Sequence, residues 1–281
     1  MAGRDTNFYY SFLVLPRDKR QAIVAVWDFC RAVDDSTDEV AADDPERATL
    51  EVARWRQELD ACYDGGAPRT RQGQALAPLV ARFGLPRAAF EALIEGVEMD
   101  IAPRPYETFE ELYQYCIRVA SAVGLICLEI FGYREPDSRT YATELGVALQ
   151  LTNILRDVPE DLKRGRVYIP RADLRKFGCT VDDLWQETNQ AGAGIRSPSV
   201  RGVLAYQAER ARAYYARAQR SLPRADARRL VAAQIMGAIY KAILRRIERR
   251  DYDVFSSIVR IPRPRRAWIA ASTWARTVFR I

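Results

Sequence analysis

The sequence predicts an all-α protein, one domain of several helices packed around a buried centre. Alternation of period two is hard to find in the 281 residues, helical periodicity runs almost throughout, and the connections between periodic segments are short. Composition agrees: 48% of the residues are apolar and 28% charged, which suits a globular chain with ample material for a core.

The elements follow in order. Pro16 reads as a first-turn proline and opens a helix through about Val40. Pro45, after Asp43 and Asp44, opens another through about Tyr63. "DGGAPRTRQG" (64–73) reads as a loop, and Pro86 opens a helix that ends near Asp100, where "APRPY" breaks it. "TFEELYQYCIRVASAVGLICLEIFG" (108–132) starts with the capping-box pattern Thr108…Glu111 and stops at Gly132. Its second half is apolar nearly all round, which makes it a central buried helix. A further helix runs from about Asp137 to Asp161, and "RGRVYIPRADLRKFG" supplies a linker with a short helix. "TNQAGAGIRSPS" (188–199) is a flexible connection, two long helices cover about 199–221 and 223–250, and a basic tail occupies 263–281. No internal repeat is evident, so residues 1–281 read as a single domain.

Composition also limits the chemistry. There is no histidine, so the commonest general base and metal ligand are both absent. Asp, Glu, Tyr, Lys, Arg or a metal held by oxygens must do any work. All but four of the 43 basic residues are arginine, a pattern open to codon bias or to affinity for phosphate, which guanidinium grips with two parallel hydrogen bonds. Five scattered cysteines without a CxxC read as reduced core thiols of a cytosolic protein. "MAGRDTNFYY" is no signal peptide, and "VASAVGLICL", the longest uncharged apolar stretch, is far shorter than a membrane span. The expected location is therefore cytoplasmic.

Two helices carry unusual acid patterns. Trp27, Arg31, Asp34, Asp35 and Asp38 lie on one stripe of the first long helix. Three aspartates in its last turn oppose the macrodipole and repel one another. Either the end is simply solvated, or a cation is supplied from outside; hard carboxylate oxygens at this spacing suit Mg²⁺. On the second helix Gln150, Asn153, Asp157 and Asp161 fall at spacings of three, four and four among Val147, Leu149, Leu151, Ile154, Leu155 and Val158. Such a stripe is either an interhelical hydrogen-bond network or half of a site, because buried polar groups must find partners. Two such stripes facing each other would hold several Mg²⁺ ions and a polyphosphate, with Arg31 and Arg156 flanking them. The matching substrate is a long hydrocarbon with a diphosphate head, whose carbocation a dry aromatic pocket would hold.

These residues resemble the squalene and phytoene synthase family. "DDSTD" is a DDxxD motif, "QLTNILRDVPED" is similar to the family's second motif, "YQYCIRVASAVGL" to its central signature, "FYYSFLVLPRDKRQAI" to its start and "RGRVYIP" to its diphosphate-contacting linker. The resemblance runs from about Asn7 to Pro262. It implies an isoprenoid synthase helical bundle with a central active-site cavity, joining two prenyl diphosphates head to head through a cyclopropylcarbinyl diphosphate. It implies Mg²⁺ on Asp34, Asp35, Asp38, Asp157 and Asp161, with Asp34 and Asp157 central to catalysis. It implies prenyl diphosphate binding by Arg31, Asn153, Arg156, Arg166 and Tyr168, with Gln150, Trp27 and Phe8 beside them. Tyr115 matches a tyrosine that assists ionisation or deprotonation, the alternative being a plain core tyrosine. "VEMDIAPRPYETFEELYQYC" and "AIYKAILRRIERRDYDVF" look most like bacterial presqualene diphosphate synthases of hopanoid biosynthesis, which use two farnesyl diphosphates and no NADPH. Phytoene synthase, or complete squalene or dehydrosqualene synthase, is the alternative, with NADPH needed for the full squalene reaction. A non-catalytic prenyl-diphosphate-binding partner is the alternative of another class.

Several positions depart from the family pattern. Trp27 and Ile117 stand where tyrosines are usual, and Pro159 replaces a glycine and disfavours helical geometry at Val158. Ser257 and Ile258 stand where arginines are usual, with Arg260 or Arg263 as candidate replacements. The tail "RPRRAWIAASTWARTVFR" mixes arginines with Trp268, Ile269, Trp274, Val278 and Phe279. It fits a peripheral contact with the inner membrane surface as well as it fits a terminal helix packed on the bundle. The basic charge is spread among acids, with no nucleic-acid-binding module.

Overall fold

The helices assemble in an order that puts the central one at the heart of the molecule. A computed structural model describes residues 9–38, 44–190, 194–195 and 197–279, and these contain no strand. The N-terminal part holds α1 (Tyr9–Phe12), α2 (Arg17–Asp38), α3 (Pro45–Tyr63), α4 (Arg71–Phe83) and α5 (Arg87–Glu98). The centre is α6 (Phe109–Cys116), a π-helical stretch Ile117–Ser121, and α7 (Ala122–Phe131). Then come α8 (Asp137–Arg156), α9 (Val158–Lys163), α10 (Arg171–Lys176) and α11 (Val181–Asn189). Finally α12 (Pro198–Ser221), α13 (Val231–Arg249) and α14 (Arg263–Phe279) close the bundle.

Most starts and stops have the causes read from the sequence. Asp44 caps α3 through Arg47 N, with Pro45 in its first turn, and the Thr108 hydroxyl accepts from Glu111 N. The reciprocal half of that capping box is displaced by one residue, because the Glu111 carboxylate accepts from Glu107 N at 2.7 Å. Gly132, at φ 73°, ends α7, and Lys19 Nζ donates to the Phe131 carbonyl at 2.6 Å.

Four expectations need correction. The loop at 64–73 ends at Thr70, which caps α4; this helix tolerates Pro78 in its interior and stops at Gly84. The helix expected over 137–161 breaks at Asp157 (φ −103°, ψ 11°), and Pro159 sits in the first turn of α9, where its missing N–H costs nothing. Residues 188 and 189 belong to α11 and residues 198 and 199 to α12, while 191–193 and 196 lie outside the described residues. The helix expected from 223 begins at Val231, after turns. Also, Phe109–Phe131 as a continuous helix is long and apolar enough to cross a membrane by composition. Here it packs inside the bundle against α2, α5 and α8.

Small residues make that packing tight. A Cβ on Gly146 of α8 would lie 2.6 Å from the Ser121 Cα, one on Gly96 of α5 would meet Val119 at 2.6 Å, and one on Gly124 would meet the Ala142 carbonyl at 3.0 Å. The cysteines are reduced, and four of the five are buried, as the sequence suggested. Burial raises the pKa values of the buried thiols, that of Cys62 to about 11.

Gly146→Ala places a methyl against backbone that cannot swing aside. We expect a loss of about 1–3 kcal/mol, read as a lower melting temperature and denaturant midpoint. Gly84→Ala, where space is open, should be strained only by its left-handed φ of 62°.

Candidate active site

α2, the central helix, α8 and α13 surround a cavity of about 460 Å³. Its polar end is built from the two acid-bearing helices. Asp34 and Arg31 come from the last turns of α2, and Gln150, Asn153, Arg156 and Asp157 from the last turns of α8. Asp161 of α9 joins them, with Arg166 and Tyr168 from the following linker. The break at Asp157 therefore does not separate the carboxylates; both still face the cavity. The other end is apolar. Ile23, Val123, Leu128, Phe131, Tyr141 and Leu145 line it, with Trp27 and Cys30 between the two ends. Asn153 and Tyr141 are twelve residues apart on one helix, so the cavity extends roughly 18 Å at 1.5 Å per residue.

Of the expected site residues, Trp27, Arg31, Asp34, Tyr115, Gln150, Asn153, Arg156, Asp157, Asp161, Arg166 and Tyr168 line this cavity. Asp35 does not; it is gripped by Arg31, whose Nε and Nη2 donate to its two oxygens at 3.2 and 3.1 Å. Phe8 and the side chain of Asp38 lie outside the described residues. Ser257 and Ile258 are away from the cavity, and so are Arg260 and Arg263, so neither arginine replaces the missing pair there.

Asp100 was not among the expected site residues. It sits just past the end of α5, is 9% exposed, and accepts from Tyr115 Oη at 2.7 Å and Tyr168 Oη at 2.8 Å. The two phenol rings stack at 4.9 Å, and Arg166 Nη2 donates to the Asp100 carbonyl at 3.3 Å. Burial, and then the Asp100 charge, hold the Tyr115 pKa well above the ordinary phenol value. Tyr115 is therefore a neutral donor whose oxygen faces the cavity with a carboxylate behind it, and not a resident phenolate. A lone acid after a helix end carries no periodic signal; only its place beside the central tyrosine reveals it.

The remaining charges are unevenly satisfied. Arg156 donates to both oxygens of Asp157 at 2.7 and 2.5 Å. Burial alone would lower the Arg156 pKa, but Asp157 and the Tyr240 hydroxyl outweigh it and keep the guanidinium charged. Asp161 has no such relief. Burial, and then the charges of Asp157 and Asp100, push its pKa up from 3.8 to about 8, with Arg166 opposing. Asn153 Nδ2 donates weakly to Gln150 at 3.4 Å, and its Oδ1 is buried with no hydrogen-bond partner. An orphaned acceptor beside carboxylates that repel one another suits a hard cation. Among the described residues no three acidic or thiol groups converge as a ready-made metal cage. Mg²⁺ does not require one, because it commonly binds one or two carboxylates and takes its other ligands from water and substrate phosphate.

Helices alone, enclosing a cavity that is ionic at one end and apolar along the rest, define an all-α enzyme of isoprenoid synthase architecture. The chain belongs to the squalene/phytoene synthase family, matching it over residues 1–267. It is 40% identical over 251 residues to a presqualene diphosphate synthase of Rhodopseudomonas palustris, covering 88% of this chain and 85% of that protein. It is 37% identical over 270 residues to a 15-cis-phytoene synthase of Synechococcus elongatus, covering 91% and 84%. Among solved structures, a dehydrosqualene synthase in complex with ligand superposes with a TM-score of 0.84 at 25% identity, covering 98% of this chain and 93% of that one. A squalene synthase from Alicyclobacillus acidocaldarius gives 0.76 at 32% identity, covering 88% and 89%.

The raised pKa of Asp161 has a sign that can be checked. Between about 4 and 8 the folded state holds a proton that the unfolded state has lost, so stability falls as pH rises through this window and levels off above it. Thermal melts of the metal-free protein should show that fall, and Asp161→Asn should reduce it, the variant melting higher than the parent at pH 9.

Proposed function

We propose that this chain condenses two farnesyl diphosphates head to head, giving presqualene diphosphate and free diphosphate. The observation that carries the reading is the single cavity with carboxylates and guanidinia at one end and an apolar interior behind them. Family membership gives the coarser class, head-to-head prenyltransferases; relatives named for presqualene diphosphate and for phytoene both match. The shorter substrate is favoured by the bulk of Phe12, Phe131 and Tyr141 in the apolar lining.

Arg31, Arg156 and Arg166 offer donors to phosphate oxygens. Asp34, Asp157 and Asp161, with Asn153 Oδ1, would hold Mg²⁺, which supplies charge stabilisation for the departing diphosphate. Asp35 would join only on releasing Arg31, and Asp38 belongs to the same helix end. In the first substrate the C–O bond to diphosphate breaks, and the resulting allylic cation takes the second substrate's double bond. A proton is lost as the cyclopropane ring closes. Tyr115 would accept it while passing its own proton to Asp100, to which it is hydrogen-bonded, the released diphosphate being the other base. The apolar walls exclude the water that would otherwise capture the cation. NADPH enters only if the reaction continues to squalene.

Purified protein with Mg²⁺ and farnesyl diphosphate, with and without NADPH, should accumulate presqualene diphosphate in both cases by mass spectrometry. EDTA should abolish this, Mg²⁺ should restore it, and Asp34→Asn should lower the rate by about 10²-fold or more. Squalene appearing only with NADPH would make it a complete squalene synthase. Phytoene from geranylgeranyl diphosphate, with no product from the shorter substrate, would overturn the proposal for the alternative. Tight binding of both with no diphosphate release would leave a non-catalytic binder.

Tyr141 also sets a length limit. Tyr141→Ala should raise kcat/KM for geranylgeranyl diphosphate relative to farnesyl diphosphate, and Tyr141→Phe should leave the ratio near the parent value.

A further inference from the structure

Behind the cavity, on the outer side of the bundle, lies a second and larger depression of about 1140 Å³. α13 and α14 form its walls, with the end of α12 and the turns after it. α13 contributes Lys241, Arg245 and Arg249, one turn apart in succession, and α14 contributes Arg265 and Arg276. Arg134, Arg224 and Arg228 come from the connections. Among the described residues no carboxylate lines the groove and none of these eight cations has an ion pair. Elsewhere the arginines do pair: Arg87 meets Asp60, Asp64 and Glu91, and Arg210 meets Asp173. Concentrated like charge without counter-charge costs stability unless something anionic arrives from outside.

Two further features point outward. Thr273, 8% exposed, lines the groove with its hydroxyl unpartnered. Trp268, also in the groove, is 69% exposed, and Phe279, eleven residues on and so nearly in line on the same stripe, is 63% exposed. Trp274 meets Phe279 edge-on at 5.8 Å. The arginines from Arg265 to Arg276 span roughly 16 Å of helix, too long a strip for one soluble phosphate. Basic side chains flanked by exposed tryptophan match the boundary layer of an anionic bilayer.

We propose that the α13–α14 groove docks this protein on anionic phospholipid, its arginines on the headgroup phosphates and Trp268 and Phe279 at the acyl boundary. Burial and then Arg245 lower the pKa of Lys241, whose ammonium lies 5.3 Å from the Tyr215 ring; a headgroup phosphate relieves that repulsion. Tyr141 and Leu145 line both the groove and the apolar part of the inner cavity. Docking therefore sets the apolar part of the cavity one layer of side chains from lipid. It does not depend on which prenyl product the cavity makes.

The full chain is sedimented with vesicles of phosphatidylglycerol and phosphatidylcholine in equal parts, and with phosphatidylcholine alone. The parent should bind the anionic vesicles, release from them at high salt, and leave the neutral ones unbound. Each cation near such a surface is worth about 1 kcal/mol, so an R245A/R276A variant should partition roughly thirtyfold less. Trp268→Ser gives a second test, reducing fluorescence quenching by brominated phosphatidylglycerol, with an unchanged melting temperature showing intact fold. Equal binding to neutral vesicles, unchanged binding of both variants, or no vesicle binding at all would overturn the proposal. So would retention of a labelled oligonucleotide in place of vesicles.

Discussion

Mutual repulsion among the carboxylates at the polar end of the cavity is the constraint on which the rest of the site depends. Each acid is held differently. Asp157 is clasped by the guanidinium next to it in sequence, Asp100 is fixed by two phenols, and Asp35 is turned away by Arg31. Asp161, buried beside Asp157 and Asp100, is pushed toward its neutral form, Arg166 opposing only in part. These arrangements hold Asp34, Asp100, Asp157 and Asp161 on one cavity without neutralising all of them. A site satisfied by its own protein partners would have nothing left for a cation or a diphosphate.

The apolar part depends on an opposite economy of size. The central helix is wedged between α5 and α8 by Gly96, Gly124 and Gly146, which bring backbones close on one side. The same glycines Gly124 and Gly146 also border the cavity, where Val123, Leu128, Phe131 and Leu145 supply the larger side chains of its wall. α8 serves both purposes: Thr152 reaches the Tyr215 hydroxyl of α12 at 3.0 Å, while Asn153 faces inward. Packing and site are thus adjacent stripes of the same helices.

Much of this was legible in the sequence because helices repeat. The stripe Arg31–Asp34 and the stripe Gln150–Asn153–Asp157 required only a 3.6-residue period to be read, while Pro45 marked the start of α3, and Thr108 and Gly132 marked the two ends of the central helix. What was missed lacks a period. α4 was hidden by Gly73 and Pro78, which normally argue against helix, and its formation depends on packing against α2 and α3. α11 did advertise itself through Thr180 and Asp183, a complete capping box. Pro159 was read as a disturbance within one helix, whereas it opens the next. Asp100 joins the cavity wall through contacts 15 and 68 residues away in sequence, and no local pattern encodes such a meeting.

The π-helical stretch at Ile117–Ser121 makes the cavity wall tolerant of a lost residue at one place and intolerant of it at the next. A π-turn accommodates one residue more than the regular helix on either side of it. Losing a single residue there would restore a continuous α-helix and leave Val123, Cys127 and Phe131 on the cavity. The same loss in the regular turns that follow has no slack to absorb it and would turn everything beyond it by about 100°. The central helix thus carries a margin of one codon, used at the bulge without changing the interior and nowhere else along the wall.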